Sequence, residues 1–506
     1  MSISIVLRNL TPGSLSLKRI EQFEDVNTAK SKPVSFFNSR NATRAAPTAP
    51  QLQERAGSFQ QVEVDISLAP FESYTIGQPD TGKHNGVERA LATNLTLRLT
   101  VENGDGARYR VDAHPCYTQK SSQALTPLSA TCTMEYTALF HPSRPTAHLT
   151  IHSNNTIDYK NWMSTLPDTL PLSAISIPGT HNSHTHYRAL PSVRCQVVDI
   201  QTQLENGIRF LDIRLQPVHG TGTGTWKKDV YLVHGAFPIS LTGPKYFLPI
   251  LETCYAFLAA HPRETILVSL KREGTGSSTD AHLAHILWKH YLSTRPAPWH
   301  THATIPTLGA ARGKLVLVRR YACPSSSSSW AHHHPPHGLD ATPWPHNAPL
   351  ALFPTPAPTF CLQDMYHLPT PALLPRKLVH IQALLVRAAA ERYSPTTPPG
   401  PLFFNFLSAS NFWNAACWPE GIARRVNRRV EEWLCAAHGL VDSVQGESES
   451  EGEGDERSGL PGKVRRKGDG DAGTGVVIMD FVGEGGDWDL VRLVVGMNMG
   501  LVGKME

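Results

Sequence analysis

The hydrophobic pattern changes period partway along the chain, and that switch limits the fold more than any other feature. Up to about residue 157 apolar residues alternate with polar ones: Ile3/Ile5/Leu7, Val62/Val64/Ile66/Leu68, Leu95/Leu97/Leu99/Val101, Tyr109/Val111, Cys132/Met134/Tyr136 and Leu149/Ile151. A period of two puts alternate side chains on one face, so these runs predict half-buried strands of an antiparallel, sandwich-like all-β domain over residues 1–157, with 38–56 as a surface loop. From residue 158 short apolar runs are separated by helical stretches. The predicted strands are 173–177, 209–215, 230–237, 265–271, 314–321, 360–366, 402–410 and 475–482. Helices are predicted over 245–260, ending at His261-Pro262, over 280–292 after Thr279, and over 420–438 between Pro419 and Gly439. Eight strands with intervening helices predict an α/β fold, a (β/α)8 TIM-type barrel over 158–506, whose reactive groups gather at the C-terminal strand ends. Two insertions interrupt it, a Ser-, His- and Pro-rich one at 323–358 and a Gly-rich charged one at 445–474, both expected to be surface loops.

Composition excludes several classes. With 506 residues, 40% hydrophobic and 18% charged, the chain can bury a large core. A net charge of +4 is too small to argue for nucleic acid and leaves only a weak preference for anionic surfaces. The cysteines, Cys116, Cys132, Cys195, Cys254, Cys323, Cys361, Cys417 and Cys435, form no CxxC pair, so reduced and mostly buried thiols in a cytoplasmic setting are expected. The N-terminal "MSISIVLRNLTPG" lacks the basic and apolar regions of a secretory signal, and no run of 18 apolar residues is present to span a membrane. Any membrane association is therefore expected to be peripheral. The "HHHPPH" run has no spaced acidic or cysteine partner and reads as a solvated loop rather than a metal site.

Chemistry concentrates at the strand ends. In "SAISIPGTHNSHT", residues 173–185, Pro178 fixes its φ and Gly179 permits a positive one, predicting a sharp corner that presents Thr180 and His181 beside Asn182 and His184. The other predicted strand ends carry Asp212 and Arg214, His234, Lys271 and Glu273, Arg320, Asp364 and Tyr366, Ser408, and Asp480. So many ionisable groups in one barrel mouth are costly to desolvate unless they pair or meet a charged ligand. Two imidazoles divide proton work, one accepting from a nucleophilic hydroxyl and the other donating to a leaving oxygen. An arginine between them offers a fixed positive fork to a phosphoryl group. This set predicts phosphodiester cleavage without a metal. Lys271, Arg320 and Asp364 are then placed to hydrogen-bond a polyhydroxylated group, with Tyr366 against a sugar-like ring.

The motifs "SIPGTHNS", "GIRFLDIRL", "LVHGAF", "ETILVSLKRE", "GKLVLVRRY", "LQDMY", "NFLSAS" and "VIMDFVG", in this order from about 158 to 482, resemble the X domain of phosphatidylinositol-specific phospholipase C in its bacterial, single-barrel form. The resemblance implies roles position by position. His181 matches the general base for the inositol 2-hydroxyl and Asp480 its orienting carboxylate, while His234 matches the general acid for the diacylglycerol oxygen. Asp212 and Arg214 match the family's "DIR" segment, in which arginine replaces the calcium of animal-type enzymes. Lys271, Arg320, Asp364 and Tyr366 match the inositol-contacting set. The implied product is inositol 1,2-cyclic phosphate, with no cofactor and no calcium requirement, and the implied partner is a phosphatidylinositol-type lipid at a membrane surface. One departure is Asn182, where the bacterial pattern has an aspartate that helps to hold the acid histidine; animal-type enzymes use asparagine there as a calcium ligand.

Two other readings compete. A metal-dependent glycerophosphodiester phosphodiesterase needs carboxylates where this chain has Asp212-Ile213-Arg214. A catalytically silent head-group binder or scaffold does not need both His181 and His234. Trp330 and Trp344 in the first insertion are candidates for contact with a bilayer interface.

Overall fold

The computed structural model describes residues 4–24, 60–76, 95–113, 123–130, 132, 134–141, 146–153, 158–218, 227–323, 337–354, 359–396, 398–438, 463–464 and 470–502. The loop predicted at 38–56, Trp330, Cys116 and Gly439 lie outside them, as does most of the "HHHPPH" run.

The N-terminal part contains a 6-stranded and a 5-stranded sheet. Ile5, Leu7, Phe140, Leu149 and Ile151 from the first share one core with Leu17, Ile66, Leu97, Leu99 and Val111 from the second. This is a two-sheet β packing, but it is not wholly antiparallel, because Ser4–Asn9 runs parallel to Thr146–His152. The sequence pattern also missed Leu15–Glu24, which lies between Gln60–Leu68 and Leu95–Asn103. A register shift between Leu17 and Arg19 breaks its alternation, since a bulge moves the following side chains to the other face. The strand expected around Cys132–Tyr136 falls instead at Thr137–His141, where every residue is buried. Continuous burial hides a period of two, and the outer cover here is the helix Pro419–Ala436.

In the 12-stranded sheet of the second part, the parallel run is Thr359–Gln363, Leu402–Phe406, Val476–Met479, Ile177–Thr180, Phe210–Gln216, Ile266–Arg272 and Leu315–Arg320. Alternate residues enter different cores: Phe210, Leu267, Val316 and Ile478 share one cluster with Phe404, whereas Leu211, Val268, Leu317 and Met479 share another with the helices Phe247–Ala260 and Pro419–Ala436. Burial on both faces explains the nearly unbroken apolar runs.

The expected eight-stranded closed barrel needs correction. Residues 230–237 are not a parallel barrel strand; Tyr231–His234 pairs antiparallel with Phe210–Gln216 and folds back on Phe237–Pro238. Two further short strands, Trp299–His300 and Leu339–Asp340, run parallel beside Leu315–Arg320. No ladder joins that side to Thr359–Gln363 among the described residues, so the barrel is open there. Both insertions also contribute structure. His337, Leu339, Ala341 and Phe353 are buried, and Ala351–Pro354 pairs with Thr359–Gln363. In the second insertion, Lys463–Val464 pairs with Ser73 and Tyr74 of the N-terminal sheet, and Asp471 and Thr474 are buried beneath the barrel.

The two parts meet on the helix Pro419–Ala436. Arg8 is wholly buried and donates to the carbonyls of Leu434 and Cys435 at 2.7 and 3.2 Å, and to that of His438. A guanidinium thus satisfies carbonyls that the helix end leaves unpaired. His141 Nδ1 lies 2.7 Å from Glu431 Oε1, and His141 Nε2 lies 3.4 Å from Glu432 Oε1.

Candidate active site

The segment that carries His181 is fixed by its neighbours. Thr180 Oγ1 donates to Gln203 Oε1 at 2.8 Å, Ser183 N donates to the Asp212 carbonyl at 3.0 Å, and Asp212 N donates to Ser183 Oγ at 2.9 Å. The corner is placed differently from the sequence expectation. Pro178 and Gly179 lie within the strand Ile177–Thr180, and the positive φ, 42°, belongs to Asn182. Gly179 is required for space, because a Cβ there would stand 2.8 Å from Phe210 Cβ.

Asp480, buried at the end of Val476–Met479, places Oδ1 2.8 Å from His181 Nδ1. Burial opposes a charge on His181, but the Asp480 carboxylate and then Cys195 outweigh it and raise its pKa well above the ordinary value. The His234 ring stands across the mouth, its centroid 6.0 Å from that of His181 with the planes perpendicular. Its Nδ1 lies 2.7 Å from the Val193 carbonyl, which fixes the Nδ1–H tautomer and leaves Nε2 for proton exchange. Burial again opposes the charge, Cys195 more than offsets it, and the His234 pKa rises.

Arg214 bridges two carboxylates. Its Nη2 is 2.7 Å from Asp212 Oδ2, and its Nη1 is 2.5 Å from Glu273 Oε1, which also takes Lys271 Nζ at 2.9 Å. Burial raises the Asp212 pKa, but the adjacent Arg214 and Arg320 prevail and hold it well below the usual range. The side chain of Arg320 is buried, and its Nε and Nη1 find no hydrogen-bond partner among the described residues, Nη1 standing 3.5 Å from Asp212 Oδ1. Burial and then Arg214 lower its pKa to about 10. Buried donors are seldom left without an acceptor, so these two set Arg320 apart from the paired Arg214.

Asp364 accepts from Trp344 Nε1 at 3.0 Å, and the Trp344 ring lies 3.7 Å beneath the Arg320 guanidinium. Trp344 is therefore an internal support and not the bilayer contact proposed from its place in an insertion. Tyr366 sits at the same rim, its hydroxyl against His346 Nε2. Asn182 is buried, with Nδ2 3.9 Å from Cys195 Sγ and Oδ1 unpartnered among the described residues. His184 proves structural: its Nε2 lies 2.9 Å from the Val233 carbonyl, and burial lowers its pKa to about 4. Ser408 is buried behind the strand ends.

The sequence reading passed over Cys195, which occupies the loop between the two histidines with Sγ 3.8 Å from His234 Nδ1. A single cysteine in an irregular loop carries no spacing signal that would single it out. It also missed the rim aromatics. Phe237 follows His234 and stacks on Phe412 at 4.7 Å, with Trp413 beside it and 89% exposed.

The mouth of this open α/β barrel thus brings together two opposed imidazoles, one held by a carboxylate, and a guanidinium paired with two more carboxylates. Residues 169–321, which carry His181, Asp212, Arg214, His234, Lys271 and Arg320, match the model of the phosphatidylinositol-specific phospholipase C, X domain. The chain is 35% identical over 175 residues to the 1-phosphatidylinositol phosphodiesterase of Listeria monocytogenes, a match covering 32% of this chain and 50% of that protein. It is 30% identical over 191 residues to the protein of the same name from Staphylococcus aureus, covering 34% and 57%. A PI-PLC X domain-containing protein 3 of Danio rerio is 30% identical over 141 residues, covering 22% and 41%. The chain thus spans about half the length of the curated relatives it matches. Among solved structures, the phosphatidylinositol-specific phospholipase C of Listeria monocytogenes superposes with a TM-score of 0.44 at 22% identity, over 68% of this chain and 99% of that one. That of Staphylococcus aureus gives 0.48 at 21%, over 67% and 97%.

Proposed function

We propose that this chain is a phospholipase C-type phosphodiesterase that cleaves phosphatidylinositol-type lipids to diacylglycerol and inositol 1,2-cyclic phosphate. The observation that carries the reading is the pair of opposed imidazoles 6.0 Å apart, one bound to Asp480, beside Arg214 and the unsatisfied donors of Arg320. His181 takes the proton of the inositol 2-hydroxyl as that oxygen bonds to phosphorus. His234 gives a proton to the glycerol oxygen as its bond to phosphorus breaks. Arg214 stabilises the charge that builds on the phosphoryl oxygens. Lys271, Arg320, Asp364 and Tyr366 receive the inositol ring.

This chemistry does not use calcium. An oxygen-ligated cation beside Asn182 needs Asp212 and Glu273, and Arg214 already lies between those two carboxylates. The exposed Trp413, with Phe412 and Phe237 beside it, presents an aromatic rim to the bilayer.

Phosphorus NMR of the purified protein with phosphatidylinositol in detergent micelles tests the reading. The expected result is a cyclic phosphodiester signal that survives EDTA and vanishes in His181→Ala. Loss of turnover in EDTA indicates a calcium-dependent lipase, and no turnover in either condition rejects lipid cleavage. On vesicles, Trp413→Ala is expected to lower bound protein by about tenfold, the loss of one interfacial aromatic; unchanged binding removes the rim from the membrane contact.

A further inference from the structure

The proton transfers leave one group at the centre of the site without a task. Cys195 is fully buried, and its backbone is tied on both sides: its N–H donates to Thr185 Oγ1 at 3.0 Å, and its carbonyl accepts from Phe481 N, next to Asp480, at 2.7 Å. This loop brings Sγ into a cluster in which one donor atom each from Cys195, His181 and Asp480 lies within 4.8 Å of the other two. Donors around a tetrahedral Zn2+, with bonds of about 2.0–2.3 Å, stand roughly 3.3–3.8 Å apart, so small side-chain movements complete the set. Thiolate, imidazole and carboxylate together suit a borderline-soft ion and not the oxygen-seeking Ca2+ or Mg2+.

We propose that Cys195, His181 and Asp480 form a binding site for a thiophilic divalent cation such as Zn2+, and that filling it switches off the general base. Charge favours this occupant. A thiolate and a carboxylate neutralise the ion while the imidazole remains neutral, and the nearby Arg214 is already engaged by Asp212 and Glu273. Binding releases the thiol proton, together with any proton carried between His181 and Asp480, so affinity rises with pH. A His181 nitrogen whose lone pair is on the metal cannot hold its tautomer against Asp480, and the base is lost. The inhibitory consequence rests on the proposed lipid cleavage; the binding itself does not. A chelator then activates metal-contaminated protein, the opposite of its effect on a calcium enzyme.

Cobalt supplies a readout independent of activity. The full chain is titrated with Co2+, following the sulfur-to-cobalt charge-transfer band and the visible bands of a tetrahedral ion. One equivalent is expected to develop these bands in the native protein and in Cys132→Ser and Cys323→Ser, whose thiols are partly exposed. The bands disappear in Cys195→Ser and weaken in Asp480→Asn, which removes a second donor independently. In parallel, the Zn2+ concentration that halves lipid cleavage, taken relative to each variant's own metal-free rate, rises at least about 100-fold in Cys195→Ser. Absence of the bands in the native protein, or their persistence in Cys195→Ser, overturns the site. Equal zinc sensitivity of the native and Cys195→Ser proteins overturns the inhibitory role. Cobalt bands that depend on Cys195 in a protein without lipase activity uphold the site while rejecting the cleavage reading.

Discussion

At the scale of single residues, the contact between Asp480 and His181 makes a directional prediction. Because the carboxylate raises the imidazole pKa, the neutral base accumulates only as pH climbs past the ordinary histidine range, and the ascending limb of kcat/KM lies there. Asp480→Asn is expected to move that limb to lower pH and to cut the rate by about 10²–10⁴-fold. A pH–rate profile on a soluble substrate checks both effects, and a slower enzyme with an unmoved limb assigns Asp480 a structural role only. The meeting of His181, His234, Arg214 and Asp480 at one end of the sheet was readable from sequence because a strand end fixes where a side chain emerges. Cys195 and Trp344 were not, since each sits in irregular backbone where distance along the chain says nothing about distance in space. Gly179 was singled out correctly but for the wrong reason: its missing Cβ makes room for Phe210, whereas the left-handed turn falls on Asn182.

At the scale of elements, that close approach joins Ile177–Thr180 to Phe210–Gln216, the strands that bear the base and the guanidinium. Gly179→Ala is expected to cost about 1–3 kcal/mol, because a methyl group must displace a buried aromatic in a close-packed core. Urea unfolding measures it, and a cost below about 0.5 kcal/mol shows that the two strands part easily. The strands themselves were legible as apolar runs, but their direction was not. Tyr231–His234 has the composition of a barrel strand, but it comes back beside the end of Phe210–Gln216, with Tyr231 opposite Gln216 and Leu232 opposite Leu215, before it turns again to Phe237–Pro238. In the other part, the bulge after Leu17 erased the alternation of a strand flanked on both sides.

At the scale of the molecule, the two parts are coupled through a titratable contact. Burial lowers the His141 pKa, but Glu431 and Glu432 outweigh it and raise it to about 9. A folded-state value above the unfolded value of roughly 6.5 means that the contribution is complete below pH ~6.5 and fades as pH rises through about 9. Thermal unfolding of the native protein is therefore expected to lose on the order of 2–3 kcal/mol across this window relative to His141→Gln; parallel curves for the two proteins exclude the contact as the cause. The alternation of the N-terminal strands and the apolar runs of the parallel sheet were both visible in the period, yet the contacts between the two sets were not. Arg8 and His141 reach their helix from far along the chain, and Lys463–Val464 returns to a sheet begun by the first strands.

The base and its carboxylate are separated by 299 positions in the chain. During synthesis, His181 leaves the ribosome early and remains an ordinary histidine until Val476–Met479 inserts beside Ile177–Thr180. Closing so long a loop is a late event, because its entropy must be met before the contact returns anything. The last central strand to be translated is thus the one that completes the His181–Asp480 pair, and on the proposed reading a nascent chain has no working base.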